Sequence, residues 1–525
     1  MNKVKQSASA SHRVVVNTGI LYAKMGVTMF ISLYTTRLIL NSLGATDFGI
    51  FNIVGGAIAM LGFLNGAMAS ATQRFMSYAE GAGDKDKQKS IFNVSVILHF
   101  CIALLLGVVL LIAGYFFFNG ILNIPAERMY AAHMVYYFMI ASTMLTVMTV
   151  PYDAVLNAHE NMLYYAIVGI VESVLKLVVA LIVVYTLSDK LIIYGLLMAC
   201  ISLTVMIIMR VYCRRKYVEC TFKPQTYYDK GLMKEMTGFA GWNFLSSFSS
   251  IVGQYGLGIV LNHFFGTILN AAQGVANQLS GQLQTFSNTM LKALNPVITK
   301  SEGSGNRALM LRASMSGCKF SFFLLAFFAI PFLIDSNFVM KFWLKNVPEW
   351  SVLFFRFQII RSLIEQLTIV LGVSVSAQGD IANMSKVKSI INILPVLFTF
   401  LLFYMRCPPY SMYIVWILCW SIIGGGITIY YAVIKCNLSI KDYIKNVVIP
   451  CSILFCVVSL IATIPYLLMP IGMIRFICIC IVSFVSFILL FWYFALDYRE
   501  KGTLLQVIHS LQRKSCLIYG LRADK

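Results

Sequence analysis

The chain has 525 residues, 59% of them hydrophobic and 12% charged, with a mean hydropathy of +0.80. A soluble globular chain is nearer half apolar and a quarter charged, so this composition excludes a water-soluble module and predicts an all-α polytopic membrane protein. The net charge of +20 does not call for nucleic acid, because the cytoplasmic loops of membrane proteins collect Lys and Arg.

The N-terminus, MNKVKQSASASHR, is polar and basic. The apolar run after it is too long for a signal-peptide core and no cleavage site follows, so it reads as a first membrane helix. Apolar segments then predict fourteen spans, at 14–40, 48–76, 91–117, 129–150, 163–186, 191–213, 236–261, 267–295, 309–334, 351–375, 387–405, 411–433, 447–468 and 472–496. The second and eighth are the least hydrophobic. With the N-terminus inside, the inner segments carry 28 Lys and Arg and the outer loops 6, which predicts an even count and cytoplasmic termini. The thirteen Cys sit mostly within apolar runs, and neither they nor the six His show a disulfide or metal-ligand spacing. No cofactor is expected.

Two polar phrases interrupt the apolar text. Residues 78–87 read YAEGAGDKDK and residues 299–307 read TKSEGSGNR, so Glu80-Gly81 and Glu302-Gly303 are 222 apart. Leu40-Asn41 and Leu261-Asn262 are 221 apart, Pro125 and Pro348 are 223 apart, and Asn161-Met162 and Asn383-Met384 are 222 apart. Four weak landmarks at a nearly constant offset indicate an internal duplication. The offset spans six helices, so the second copy enters the membrane in the same direction, giving two parallel six-helix lobes. The expected domains are an N-lobe at 1–213, a cytoplasmic linker at 214–235, a C-lobe at 236–434, an extra helix pair at 435–496 and a basic cytoplasmic tail at 497–525. The Glu-Gly-x-Gly phrases read as equivalent cytoplasmic turns, with a phosphate cradle as the rival.

Seven bases fall within spans: Lys24, Arg37, Lys176, Lys292, Lys319, Arg356 and Arg361. Glu172 with Lys176 and Arg361 with Glu365 stand at i,i+4, the spacing of structural ion pairs; membership of a substrate site is the rival. Arg37, Lys319 and Arg356 lie near helix ends, where snorkelling is possible in principle. Polar residues recur at helical spacing on three spans: Asn17, Lys24, Thr28 and Thr35; Asn243, Ser247, Ser250 and Gln254; and Asn270, Asn277, Gln284, Asn288 and Asn295, with Lys292 beside the last stripe. Such faces point into a cavity or pack against another helix. A cavity of amides, hydroxyls and bases favours an anion with hydrogen-bonding groups, such as a diphosphate bearing sugars. The candidate substrate-binding set is Asn17, Lys24, Thr28, Asn243, Gln254, Asn277, Gln284, Asn288 and Lys292.

The phrases SLYTTRLILNSLGATDFGIFNIVGG, FLNGAMASATQRF, VPYDAVLNAHENM, GWNFLSSFSSI and ALNPVI, with the six-plus-six repeat, resemble the polysaccharide-exporter branch of the multidrug/oligosaccharidyl-lipid/polysaccharide flippase superfamily. The likeness covers essentially the whole chain and is nearest the O-antigen and capsule repeat-unit flippases of Bacteroides-type bacteria. It implies a bacterial inner-membrane protein, not an enzyme. Such a protein flips polyprenyl-diphosphate-linked oligosaccharide between leaflets by alternating access. Its partners would be that substrate, membrane lipids, a coupling ion (H+ or Na+) and the glycan polymerase machinery. The resemblance also implies a lipid-diphosphate role for a base of the first helix, here Lys24, and a lipid-tail groove for spans thirteen and fourteen. The alternatives are a multidrug/cation antiporter of the same superfamily and a lipid-linked peptidoglycan-precursor flippase. A glycosyltransferase or polymerase needs a larger outer domain than the loop at 335–350.

Overall fold

The computed structural model describes residues 2–59, 63–121, 124–344, 347–496 and 500–502, which form helices with no strand among them. In chain order these are α1 (Asn2–Ala59), α2 (Phe63–Ala82), α3 (Lys85–Phe116), α4 (Met129–Ala158), α5 (Met162–Tyr185), α6 (Lys190–Lys216) and α7 (Lys230–Gly303). There follow α8 (Arg307–Ile334), α9 (Ser336–Trp343), α10 (Ser351–Gln366), α11 (Ile369–Gln378), α12 (Ala382–Tyr404), α13 (Ser411–Cys436), α14 (Ile440–Leu468) and α15 (Met473–Ala495).

Among the described residues, eleven helices are long and apolar enough to cross a membrane, or twelve if α10 and α11, bent by 40° at their junction, form one span. In their described residues the fourteen segments expected from sequence fall on helix, apart from single end residues and the break at 367–368 in the tenth. Of the second, the described stretch 45–59 is too short to qualify and 63–82 too polar; the eighth (267–303) is helical but too polar. The tail at 497–525 falls almost wholly outside the described residues, as do the side chains of Arg37 and Asn270.

The duplication is visible in backbone geometry. α1 is broken at Gly44 (φ 76°, ψ 171°) and α7 at Gly266 (φ 78°, ψ −172°), 222 residues apart. This corner of conformational space is essentially closed to residues with a Cβ, so glycine is required at both corners. Among the described residues, no atom lies where a Cβ would sit at either position. The strain from Gly44→Ala or Gly266→Ala therefore comes from the backbone alone. Each change is expected to cost roughly 1–3 kcal/mol, and thermal unfolding of the purified variants measures it. Unchanged midpoints would mean that the corners are not fixed.

The Glu-Gly-x-Gly phrases are turns. Gly83 (φ 74°) ends α2 and Gly305 (φ 71°) ends α7. Asp84 N donates to Ala79 O and Asn306 N to Ser301 O, the six-residue closure of a Schellman cap. The next residue serves the following helix: Asp84 accepts from Lys87 N at 2.9 Å and Asn306 from Leu309 N at 3.2 Å. Each Glu pairs with the base that opens the next helix, Glu80 with Lys85 at 2.9 Å and Glu302 with Arg307 at 2.5 Å. The phrase is written twice because one helix-end, helix-start device is built twice.

By internal contacts the chain divides into two compact units. One is residues 19–247 with 303–305; the other is 1–18, 248–302 and 306–525. The first has a core that includes Val54, Leu110, Ala132, Val135 and Val183. Arg128 braces it, taking Asp47 at 2.6 Å and Asp189 at 2.7 Å and so tying the segment after the Gly44 corner to the starts of α4 and α6. The second has an aromatic-rich core around Phe322, Phe354, Phe355, Tyr413 and Trp416. There α14 and α15 pack on α8 and are held at two points. Arg475 forms a bidentate pair with Asp335 at 2.6 and 2.9 Å, and Lys319 reaches Glu500 at 2.6 Å and Ala495 O at 3.0 Å. Lys319 is buried, so it does not snorkel as its position near a helix end suggested; an acid 181 residues away meets it inside the protein. Arg475 is likewise buried, on α15.

Candidate substrate site

The candidate residues divide between the units, and each group stands by itself. In the first unit, Lys24 is half-buried, with its ammonium 4.1 Å from the centroid of the Tyr165 ring on α5. One turn on, a Cβ at Gly169 would overlap Lys24 Cε and Nζ, so the missing side chain makes the space in which the lysine lies. Tyr165 contributes the negative face of its π-system, worth about 0.5–2 kcal/mol toward holding a cation. Asp153 on α4 and Glu172 on α5 both act electrostatically on Tyr165. Lys176 Nζ lies 2.6 Å from Glu172 Oε1, both side chains being about two-fifths exposed. Thr28 spends its hydroxyl on Met25 O, a local bond. Asn243 has its Nδ2 buried without a hydrogen-bond partner among the described residues.

In the second unit, Asn17 is buried, while Gln254, Asn288 and Lys292 are exposed and Asn277 and Gln284 half-buried. Gln284 donates to Ser362 on α10, and the buried Oδ1 of Asn277 has no hydrogen-bond partner among the described residues. Arg361 pairs with Glu365 one turn on, its guanidinium 4.4 Å from the Trp416 ring. Lys388 on α12 acts electrostatically on the same Glu365. One carboxylate is thus in the field of two bases. Glu365 is also the last turn before the α10–α11 break, where Tyr443 donates to Leu367 O at 2.7 Å and satisfies a carbonyl freed by the bend. Nearby, Asn392 donates to Ser250 at 2.8 Å and its carbonyl accepts from Trp420 at 3.1 Å.

The structure thus seats Lys24 on Tyr165, a ring in the field of Asp153 and Glu172, and pairs Arg361 with Glu365, which lies in the field of Lys388. Lys24 and Lys292, which the sequence reading set on helices of opposite lobes, lie in different units. Tyr165, Gly169, Asp153 and Lys388 went unread; a glycine on an apolar helix carries no sign of what lies over it. No group of three or more His, Cys, Asp or Glu suited to a metal occurs among the described residues.

A third cluster lies outside the spans. His159, just past α4, takes Glu219 through Nε2, has Glu80 at 3.4 Å from Nδ1, and stacks on Tyr217 at 4.3 Å. Burial opposes the charge on Glu80 and Glu219. Lys85, His159 and Gln88 for the first, and His159 for the second, nevertheless hold both carboxyls below their ordinary value of 4.5. A carboxyl depressed in the folded state stabilises fully above that value and loses its contribution as pH falls through the folded one. The hydrogen-exchange protection of residues 217–223, corrected for the intrinsic pH dependence of exchange, is therefore expected to hold at neutral pH and to fall once the pH drops below about 4.5. Protection that is flat down to pH 3 would dissociate the two carboxylates from the hold on this segment.

Residues 14–302 match the family model described as polysaccharide biosynthesis protein. No curated protein matches. Solved structures show the same fold. A MATE transporter in its bent conformation is similar at TM-score 0.70 and 14% identity, over 82% of this chain and 97% of that one. A multidrug resistance MATE family transporter of the MOP superfamily, in its outward-facing conformation, is similar at TM-score 0.67 and 14% identity, over 82% and 96%. A MOP-superfamily transporter from Pyrococcus furiosus is similar at TM-score 0.61 and 13% identity, over 95% and 96%. With more than half of its residues matched by the family model, and a fold shared with transporters of the MOP superfamily, the chain belongs to the polysaccharide biosynthesis protein family.

Proposed function

We propose that this protein is a flippase that moves polyprenyl-diphosphate-linked oligosaccharide across the bacterial inner membrane by alternating access, with both termini cytoplasmic and H+ or Na+ as the coupling ion. The observation that carries the reading is Lys24. A base within a membrane span costs on the order of 2.5–3.5 kcal/mol to insert. Here it lies in the family-matched region, seated on an aromatic face and beside a glycine gap. A diphosphate leaving the headgroup region needs such a countercharge. The unpartnered amide atoms of Asn243 and Asn277 supply hydrogen-bonding capacity that sugar hydroxyls suit.

One observation favours a second reading. Asp153 and Glu172 stand near Tyr165, and carboxylates in a span serve an antiporter of organic cations. Deleting the gene and extracting lipid-linked intermediates separates the two. Accumulation of a polyprenyl-diphosphate oligosaccharide on the cytoplasmic side, with loss of surface glycan, is the expected result. Intact glycan with raised sensitivity to organic cations would replace the flippase by the antiporter. Accumulation of peptidoglycan precursor would move the substrate to that lipid.

A further inference from the structure

The segment joining α6 to α7 is fastened at a definite depth. The Asn93 side chain, fully buried where the apolar run of α3 begins, donates to Thr221 O at 2.9 Å and accepts from Lys223 N at 2.8 Å. Asn161, the N-cap of α5, donates to Tyr217 at 2.9 Å. Glu219, itself buried, pairs with His159 at the end of α4. Each anchor sits at the end of a span, so residues 217–223 lie level with the boundary of three apolar helices rather than out in water. With the polar anchors turned inward, the outward side chains include apolar groups and bases, with Gln225, Thr226 and Asp229 also exposed further on. Val218 is 74% exposed, Phe222 42% and Tyr228 46%; the base Lys223 stands among them and the exposed bases Arg215 and Lys230 flank them. Residues 210–235 hold seven bases against three acids, and one of those acids, Glu219, is buried in the anchor.

We infer that this segment is an in-plane membrane anchor that binds anionic phospholipid headgroups of the leaflet into which α6 emerges. Apolar side chains at the depth of the acyl boundary, interleaved with bases, are what an interfacial element needs. Bases at that level meet the phosphates of anionic lipids by charge complementarity. The side chains of Val218 and Phe222 enter the acyl edge while Arg215, Lys223 and Lys230 hold headgroups. The inference stands apart from any transported substrate.

The test uses the full-length protein in nanodiscs. Phosphatidylglycerol retained on the protein, counted by native mass spectrometry, is expected to fall in an Arg215→Gln/Lys223→Gln/Lys230→Gln variant by about five-fold for each base removed. Retention on the wild type is expected to weaken as salt rises. The thermal midpoint in phosphatidylcholine should not change, since none of the three side chains is used in the anchor. Separately, Phe222→Trp should add fluorescence that lipids brominated near the top of the acyl chain quench. Equal phosphatidylglycerol retention in the two proteins would overturn the inference, as would an unquenched signal from the introduced tryptophan. Loss of polyglutamate binding by the variant with lipid retention unchanged would also overturn it, and would assign the surface to an acidic protein.

Discussion

Arg475→Ala is expected to be the most destabilising single change in the second unit, at roughly 3–5 kcal/mol. The Asp335 side chain has no solvent exposure and that of Arg475 only 7%, so removing the guanidinium strands a charge that water cannot reach. Two bonds of 2.6 and 2.9 Å are lost together, along with the contact of the guanidinium with the Tyr466 ring at 4.6 Å. Arg475→Lys should recover little, because an ammonium cannot reproduce the planar fork. Replacing both partners, as in Arg475→Met with Asp335→Leu, should regain much of the loss, since no charge is then left unpaired. Thermal unfolding of the purified proteins reads the series. Arg475→Ala with a wild-type midpoint would show that the bridge does not hold α15 to the start of α9.

That bridge also marks where sequence reading stops. The paired Glu80 and Glu302 turns were legible because each needs a specific residue at a specific place, whereas the Gly44 and Gly266 corners, at the same offset, went unread. In the turns glycine takes the positive φ, and a short polar side chain caps the helix that follows. A constant offset then ties the copies together. Asp335 and Arg475 are 140 residues apart, and Lys319 and Glu500 are 181 apart. In a membrane sequence an isolated charge announces that it needs a partner, but nothing in its surroundings says which. The i,i+4 pairs were readable since helix geometry alone brings them together. Even there the reading was incomplete, for Glu365, paired with Arg361, also lies in the field of Lys388 from another helix. The polar stripes told which faces are polar and not what packs against each of them.

The seating of Lys24 makes its substitution series informative. Lys24→Ala is expected to lower transport roughly ten- to hundred-fold, the worth of one charge-assisted hydrogen bond to an anionic group. The protein should still insert and fold, since alanine leaves no charge behind. Lys24→Arg should keep part of the activity: the charge remains, but the larger guanidinium does not fit the gap that Gly169 leaves for an ammonium. Lys24→Glu should be worse than alanine, because it repels a diphosphate and adds a third carboxylate near Asp153 and Glu172. Gly169→Leu offers a check that does not touch the lysine. Its side chain takes the space of Lys24 Cε and Nζ, so it should impair transport in the wild type and add nothing in the Lys24→Ala background. Display of surface glycan, normalised to the amount of protein in the membrane, reports all of these. Wild-type display from Lys24→Glu at equal protein level would remove Lys24 from the substrate site. Additive losses from Gly169→Leu and Lys24→Ala would make the glycine a packing residue of α5, with no part in placing the charge.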